Sequence, residues 1–288
     1  MTTRFKTFLE TAGIPAFELF IERVSSDCGQ FIAEADPDYP LWRGAKEHAD
    51  FTEPLRPREN RKARDSTPGF NLMFNAGVKA MSGIDAARSI SYFASGSGLQ
   101  AHGYGRRHFI FPQDGHRFIW SNTIDDSFGS DHDLYTRIAD DFKDKTGISE
   151  ALYPSAVRSF FAHQSAKHQD EKSFLSDPML MSQALLDQIS SSAFSRSAVE
   201  QFNTRFAGTD QLGRLFIDAL ADAFNHLYRS DSLAAATRSG NEIIFIGGGY
   251  YMIPVDAVAL AYETANPSSE ARSPMGLYSW LISEIKKA

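Results

Sequence analysis

The chain has 288 residues, of which 42% are hydrophobic and 23% charged, with a single cysteine. That composition excludes disordered, collagen-like and disulfide-framework classes, and a chain this long buries well over half of its unfolded surface without metal or disulfide staples. The net charge of −7, from 29 Lys and Arg against 36 Asp and Glu, argues against a broad non-specific nucleic-acid binder, whose charge balance is basic.

The first forty residues read as helix. Phe17, Phe20, Ile21, Val24, Cys28, Phe31 and Ile32 recur at the spacing of one helical face, which places Cys28 as a small buried hydrophobe and not a nucleophile. Asp36-Pro37 and Tyr39-Pro40 break the helix, and Leu41 to Gly44 follows as a short strand. A loop carries the basic stretch LRPRENRKAR from Leu55 to Arg64, with five positive charges against one negative. Its counterpart from Asp125 to Glu150 has eight acids and three bases. Such runs are usually solvated faces. Phe70, Met73, Phe74, Gly77, Val78 and Met81 mark a second amphipathic helix. Strands are then expected over Ser89–Phe93 and His108–Pro112. Gln113-Asp114-Gly115 is a turn signal that hairpins the second of these with His116–Trp120. From about Asp131 to Arg238 the pattern is helical again, clearest at Leu212, Leu215, Phe216, Leu220, Phe224 and Leu227. Glu242–Ile246 and Tyr250–Pro254, flanking Gly247-Gly248-Gly249, read as a late hairpin. Leu277, Trp280, Leu281 and Ile285 lie on a C-terminal helix. There is no internal repeat and no linker, so the expected class is α+β with a large helical insertion between strands.

Several familiar site motifs fail on their context. Gly96-x-Gly98-x-x-Ala101 has dinucleotide-fingerprint spacing, but Gly103-Tyr104-Gly105 interrupts the helix that the motif requires, and a strand follows at once. Gly247-Gly248-Gly249 has no Lys-Ser/Thr after it and no helix. His102, His108 and His116 are six and eight residues apart, outside usual ligand spacings, and Asp131-His132-Asp133 reads as an exposed helix start; no metal site is expected. Ser95-Gly96-Ser97-Gly98 lacks the first glycine of a nucleophile elbow. The apolar runs fall far short of the roughly 18–20 residues of a membrane helix, and MTTRFKTFLE has no secretory apolar core. With one cysteine, the expected location is cytoplasmic.

What remains is a dispersed constellation: Tyr39-Pro40-Leu41-Trp42-Arg43-Gly44, then Phe93-Ala94-Ser95-Gly96-Ser97 with Ala101-x-x-Tyr104-Gly105, then Asn241-Glu242-Ile243-Ile244-Phe245. This resembles the Arg–Ser–Glu order of ADP-ribosyltransferases of the diphtheria- and cholera-toxin superfamily, on the cholera-like branch. The layout is also similar to uncharacterised members of that fold encoded by tailed bacteriophages, with an early Tyr/Trp-Arg-Gly, a basic loop, and a Tyr-Tyr after the glutamate strand. The resemblance touches most of residues 15–125 and 228–256 and does not cover the helical insertion.

The resemblance implies one ADP-ribosyltransferase-like domain over residues 1–288 with a split β-sheet core. N-terminal helices would occupy 1–38, core strands 39–130 and 236–260, the helical insertion 131–235 and a C-terminal helix 261–288. It implies an NAD-dependent mono-ADP-ribosyltransferase, with NAD as substrate, nicotinamide released, and a protein or nucleic acid as acceptor. A host-cytoplasmic location follows if the chain is phage-encoded. By position in the motifs, Glu242 would hold the ribose hydroxyl and stabilise the positive charge that develops as the glycosidic bond opens. Arg43 would grip the pyrophosphate and Ser95 would fix the ribose and the glutamate, with Ser97 in support. Tyr104 would stack on the nicotinamide, Phe93 would line the strand, and the backbone at Gly44 would meet the nicotinamide amide. Arg56, Arg58, Arg61, Lys62 and Arg64 would extend the phosphate grip or hold an acidic acceptor. The pattern departs from the family at Gly96, where the middle threonine stands and where a smaller residue would open the pocket. It departs again at Gly240, where arginine-modifying members carry a second glutamate; an arginine acceptor is therefore disfavoured. A NAD glycohydrolase would need the same residues, and a non-catalytic phage binding or virion-associated module on the same fold is the reading of a different class.

Overall fold

The apolar face read at the N-terminus is buried as expected: Phe20, Val24, Cys28, Phe31 and Ile32 all lie in one hydrophobic core. They belong to two helices, α1 (Thr3–Asp27) and α2 (Gly29–Glu34), separated at Cys28. The computed structural model of the protein describes residues 3–46, 50–57, 66–85, 87–88, 90–127, 131–148, 153–167, 174, 176–191, 194–269 and 272–288, with side chains from residue 15 onward except that of 131. Among these residues it is α+β, with twelve helices and a six-stranded antiparallel sheet. The chain divides into two compact units.

The first unit, Met1–Arg58, Ser91–Asp125 and Arg229–Ala288, holds the sheet. Its strands are β1 (Trp42–Ala45), β2 (Ser91–Ser95), β3 (Arg106–Pro112), β4 (Arg117–Trp120), β5 (Glu242–Ile246) and β6 (Tyr250–Pro254), in the order β4-β5-β2-β1-β3-β6. Most neighbours share four or five register pairs, but β1 and β2 share one, Trp42↔Ser95. The sheet is thus two three-stranded halves joined at a single point.

Both expected hairpins are corrected. β3 and β4 do not pair, and neither do β5 and β6; each Gly-containing turn carries the chain from one half-sheet to the other. The turns themselves are real: Gly115 has φ 80° and Gly247 φ 81°, and Gln113 N donates to Gly249 O at 3.0 Å, which sets the two turns side by side. In a flat sheet β5 and β6 would lie about 19 Å apart, four strand spacings, whereas the four steps from Ile246 to Tyr250 reach at most about 14 Å. The halves must therefore fold toward each other. Accordingly Tyr92 on β2 stacks on Tyr250 on β6 at 4.2 Å, and on Phe245 of its own half at 5.2 Å.

On the other side of β3, Phe111 takes Phe20 and Phe31 edge-on at 5.6 and 5.7 Å, and Tyr278 of α12 (Pro274–Ile285) packs on Phe109 at 5.1 Å. The Cys28 thiol points at Phe111 O, and burial pushes its pKa up, as befits a buried apolar side chain. Three further helices complete this unit: α4 (Gly98–Gly103), α10 (Leu233–Ser239) and α11 (Val255–Ala265).

The second unit, Glu59–Ile90 and Asp126–Tyr228, is helical, with α3 (Pro68–Ser82), α5 (Asp131–Thr146), α6 (Pro154–Lys167), α7 (Pro178–Ser191), α8 (Arg196–Phe206) and α9 (Gln211–Leu227). The segment 131–235 thus divides, with α5 to α9 here and the start of α10 in the sheet unit, while α3 groups with the later helices. The core of this unit is aromatic: Phe216 meets Phe142 and Phe160 at 5.2 and 5.5 Å, and Phe224 meets Phe74 at 5.4 Å. No described helix is long and apolar enough to cross a membrane.

Candidate functional site

Residues far apart in the chain meet where the two half-sheets join. Ser95 is paired with Trp42 on one side and with Glu242 on the other. Directly opposed residues in antiparallel strands share a face, so the Ser95 and Glu242 side chains leave the sheet together at the end of the β2–β5 ladder. Glu242 is half-buried at the first position of β5. Its place is fixed by Glu242 N donating to Asp125 O at 3.0 Å, and by its buried neighbour Asn241, whose side chain donates to Ser121 O at 2.9 Å.

Arg43 follows Trp42, so its side chain leaves β1 on the opposite face. There the half-buried guanidinium donates to Phe93 O and lies 5.3 Å over the Tyr250 ring. The β1–β2 ladder has already ended at Trp42↔Ser95, so Arg43 fills the notch where the strands part. Among the described residues no carboxylate pairs with it. Phe93, half-buried on β2, thus contributes its carbonyl to the site.

Ser95 is only 5% exposed, and its hydroxyl is surrounded. Ser95 Oγ accepts from Ser97 N at 2.8 Å and faces two acceptors, Gly240 O at 2.9 Å and Gln100 Oε1 at 2.5 Å. Ser97 caps α4, its hydroxyl accepting from Gln100 N at 3.3 Å. Gln100 Nε2 in turn donates to Asp125 O at 2.9 Å, the same carbonyl that receives Glu242 N. Ser95, Gln100, Asp125 and Glu242 are therefore one hydrogen-bonded group.

The glycines have backbone reasons. A Cβ on Gly44 would lie 1.8 Å from Ala101 O and 2.9 Å from Tyr104 Cβ, because α4 lies directly on β1 there. One on Gly96 would lie 1.9 Å from Thr237 O of α10. Gly96 does not open a pocket as expected, since the α10 backbone occupies the space a side chain would take. Gly240 is the left-handed C-cap of α10, with φ 78°. Tyr104, just after α4 beside Gly44, is 62% exposed.

The sequence-read site is thus assembled in part. Ser95 and Glu242 are brought together, Arg43 and Gly44 sit one strand away, Ser97 serves as a helix cap, and Tyr104 presents its ring to solvent. Arg56 is exposed, and Arg58, Arg61, Lys62 and Arg64 lie outside the described residues. Gln100, Asp125 and Asn241 went unread. Gln100 carried a signal, because Ser97-x-x-Gln100 is a capping-box pattern. A helix does begin at Gly98, yet it is only six residues long and every strand pair is antiparallel, which is not a dinucleotide crossover. Among the described residues no three His, Cys, Asp or Glu side chains gather as metal ligands. Comparison of the chain with protein-family models, with curated proteins and with solved structures gives no match.

Proposed function

We propose that the protein is an NAD-dependent mono-ADP-ribosyltransferase on an ADP-ribosyltransferase-like fold, releasing nicotinamide and passing ADP-ribose to a protein or nucleic-acid acceptor. The observation that carries this reading is the register Trp42↔Ser95↔Glu242. It gathers the three segments of the Arg–Ser–Glu resemblance onto adjoining strands at the point where the sheet splits.

The residues suit NAD on chemical grounds. Arg43 is a half-buried cation with no carboxylate partner among the described residues; it leaves β1 on the face opposite Ser95 and Glu242, so it suits a pyrophosphate only where the dinucleotide passes through the notch between β1 and β2. Tyr104 offers an exposed ring to a cationic nicotinamide. Glu242 stands at a strand start, where its carboxylate can accept a ribose hydroxyl and hold the positive charge that grows as the bond to nicotinamide stretches. Gly240 brings no second carboxylate, so an acceptor that is already nucleophilic fits better than a guanidinium.

The test is nicotinamide release from labelled NAD by the wild type and by Glu242→Gln, with a cell lysate present. Release that depends on Glu242, with label in protein or nucleic acid, is expected. Removing a group of this kind typically lowers the rate about 10²–10⁴-fold. Release without labelled macromolecule would mean a glycohydrolase. A Glu242→Gln protein as active as wild type would refute the catalytic assignment, and no release by folded wild type would leave a non-catalytic module.

A further inference from the structure

The cap of α4 is built in an unusual way. In a capping box the Gln at the third helical position reaches back to the N–H of the cap residue. Here the N–H of the cap residue Ser97 goes instead to Ser95 Oγ, at 2.8 Å, and it is Ser95 that meets Gln100, at 2.5 Å. A serine hydroxyl has been inserted into the box.

Bond polarity in this group is fully determined. Asp125 O can only accept, so the Gln100 atom 2.9 Å from it is the amide nitrogen. That places Gln100 Oε1, also an acceptor only, against Ser95. Gly240 O, 2.9 Å from Ser95 Oγ, is another acceptor. The single hydroxyl proton is therefore held between two protein carbonyls, and one lone pair is taken by Ser97 N–H. One lone pair remains.

We infer that Gln100 is a positioning residue that, together with Gly240 O, holds the Ser95 proton inward, so that Ser95 meets the substrate only as an acceptor, for a ribose hydroxyl of NAD. This rests on the ADP-ribosyltransferase reading and refines it: Ser95 does not donate to Glu242, and the two residues receive hydroxyl donors side by side. Because Asp125 O takes both Gln100 Nε2 and Glu242 N, the same amide sets the acceptor on β2 and registers it to the start of β5.

The experiment is steady-state nicotinamide release by wild type, Gln100→Leu, Gln100→Glu, Ser95→Ala and the Ser95→Ala/Gln100→Leu double variant, with folding checked by circular dichroism. Gln100→Leu leaves Gly240 O as the one carbonyl on the Ser95 proton and cuts the tie to Asp125 O, and is expected to lower kcat/KM about tenfold, the scale of one hydrogen bond. Gln100→Glu keeps an acceptor against Ser95 but sets a carboxylate oxygen against Asp125 O and breaks the link that registers β2 to β5, so it should do no better than Gln100→Leu. In the Ser95→Ala background Gln100→Leu should add less than about twofold, since coupled residues are not additive. Additive losses would show that Gln100 only anchors α4 and would overturn the assignment while the transferase reading stands. A folded wild type that releases no nicotinamide would overturn both.

Discussion

Gly44→Ala is the substitution that most directly probes how the site is held. The new Cβ would sit 1.8 Å from Ala101 O and 2.9 Å from both Ala101 C and Tyr104 Cβ. The obstacle is helix backbone, which cannot rotate away as a side-chain tip can. Ordinary contact needs about 3.5 Å, so α4 must move by roughly 1.5–2 Å. A shift of that size breaks the links from Ser97 N to Ser95 Oγ, from Ser95 Oγ to Gln100 and from Gln100 to Asp125 O. At about 1 kcal/mol for each net hydrogen bond the loss is ~3 kcal/mol, at the upper end of what overpacking usually costs. All three tryptophans, Trp42, Trp120 and Trp280, lie in the sheet unit, so urea unfolding followed by tryptophan fluorescence reports that unit. The midpoint should fall at unchanged slope. Gly103→Ala is the matched control: no atom lies within 4 Å of its Cβ direction and its φ is not positive, so stability should hold or rise by up to ~1 kcal/mol. A Gly44→Ala protein within about 0.5 kcal/mol of wild type, the spread of ordinary surface substitutions, would refute the close packing of α4 on β1.

Two other predictions concern stability elsewhere in the molecule. Gly77→Ala would set a Cβ 2.0 Å from the Phe224 ring, which Phe74 and Tyr228 confine at 5.4 Å each; a loss of ~1–3 kcal/mol is expected by circular dichroism, and an unchanged midpoint would contradict it. His116 is buried, and desolvation lowers its pKa below 6.5 against the opposing pull of the Gln113 carbonyl. The unfolded chain therefore binds more protons just below pH 6.5, so stability should fall as pH drops through that value toward the lower native pKa. The slope contributed by this one group is at most ~1.4 kcal/mol per pH unit. His116→Phe should flatten this part of the profile, and an unaltered slope would assign it to other groups.

What was legible in the sequence was local. The apolar period of α1 and α2, the α9 stripe and the strand segments each carry their own signal, and burial follows it. Pairing was not legible. Gln113-Asp114-Gly115 and Gly247-Gly248-Gly249 have the chemistry of tight turns, but a tight turn serves equally for a hairpin and for a step between facing half-sheets. The choice lies in contacts such as Tyr92 on Tyr250, residues 158 apart in the chain. The Ser95 and Glu242 positions were legible through their flanking motifs. Gln100 carried only the capping-box signal, and its actual partners were hidden because Ser95 and Asp125 lie outside the helix that Ser97 caps.

The two positions at which the chain differs from the Arg–Ser–Glu pattern it resembles, Gly96 and Gly240, have one cause. Helix α10 docks its last turn on β2, with Thr237 O 1.9 Å from where a Cβ on residue 96 would stand. The helix can end so close to the strand because Gly240 takes a left-handed turn at φ 78°, and that turn brings Gly240 O to within 2.9 Å of Ser95 Oγ. A threonine at 96 would push α10 away and strip Ser95 of one of its acceptors. A glutamate at 240 would need a backbone conformation that costs a non-glycine residue about 1–2 kcal/mol. Neither side chain can be introduced alone without displacing the other's support. The α10 cap that holds the Ser95 proton is therefore also what keeps a second carboxylate from standing two residues before Glu242.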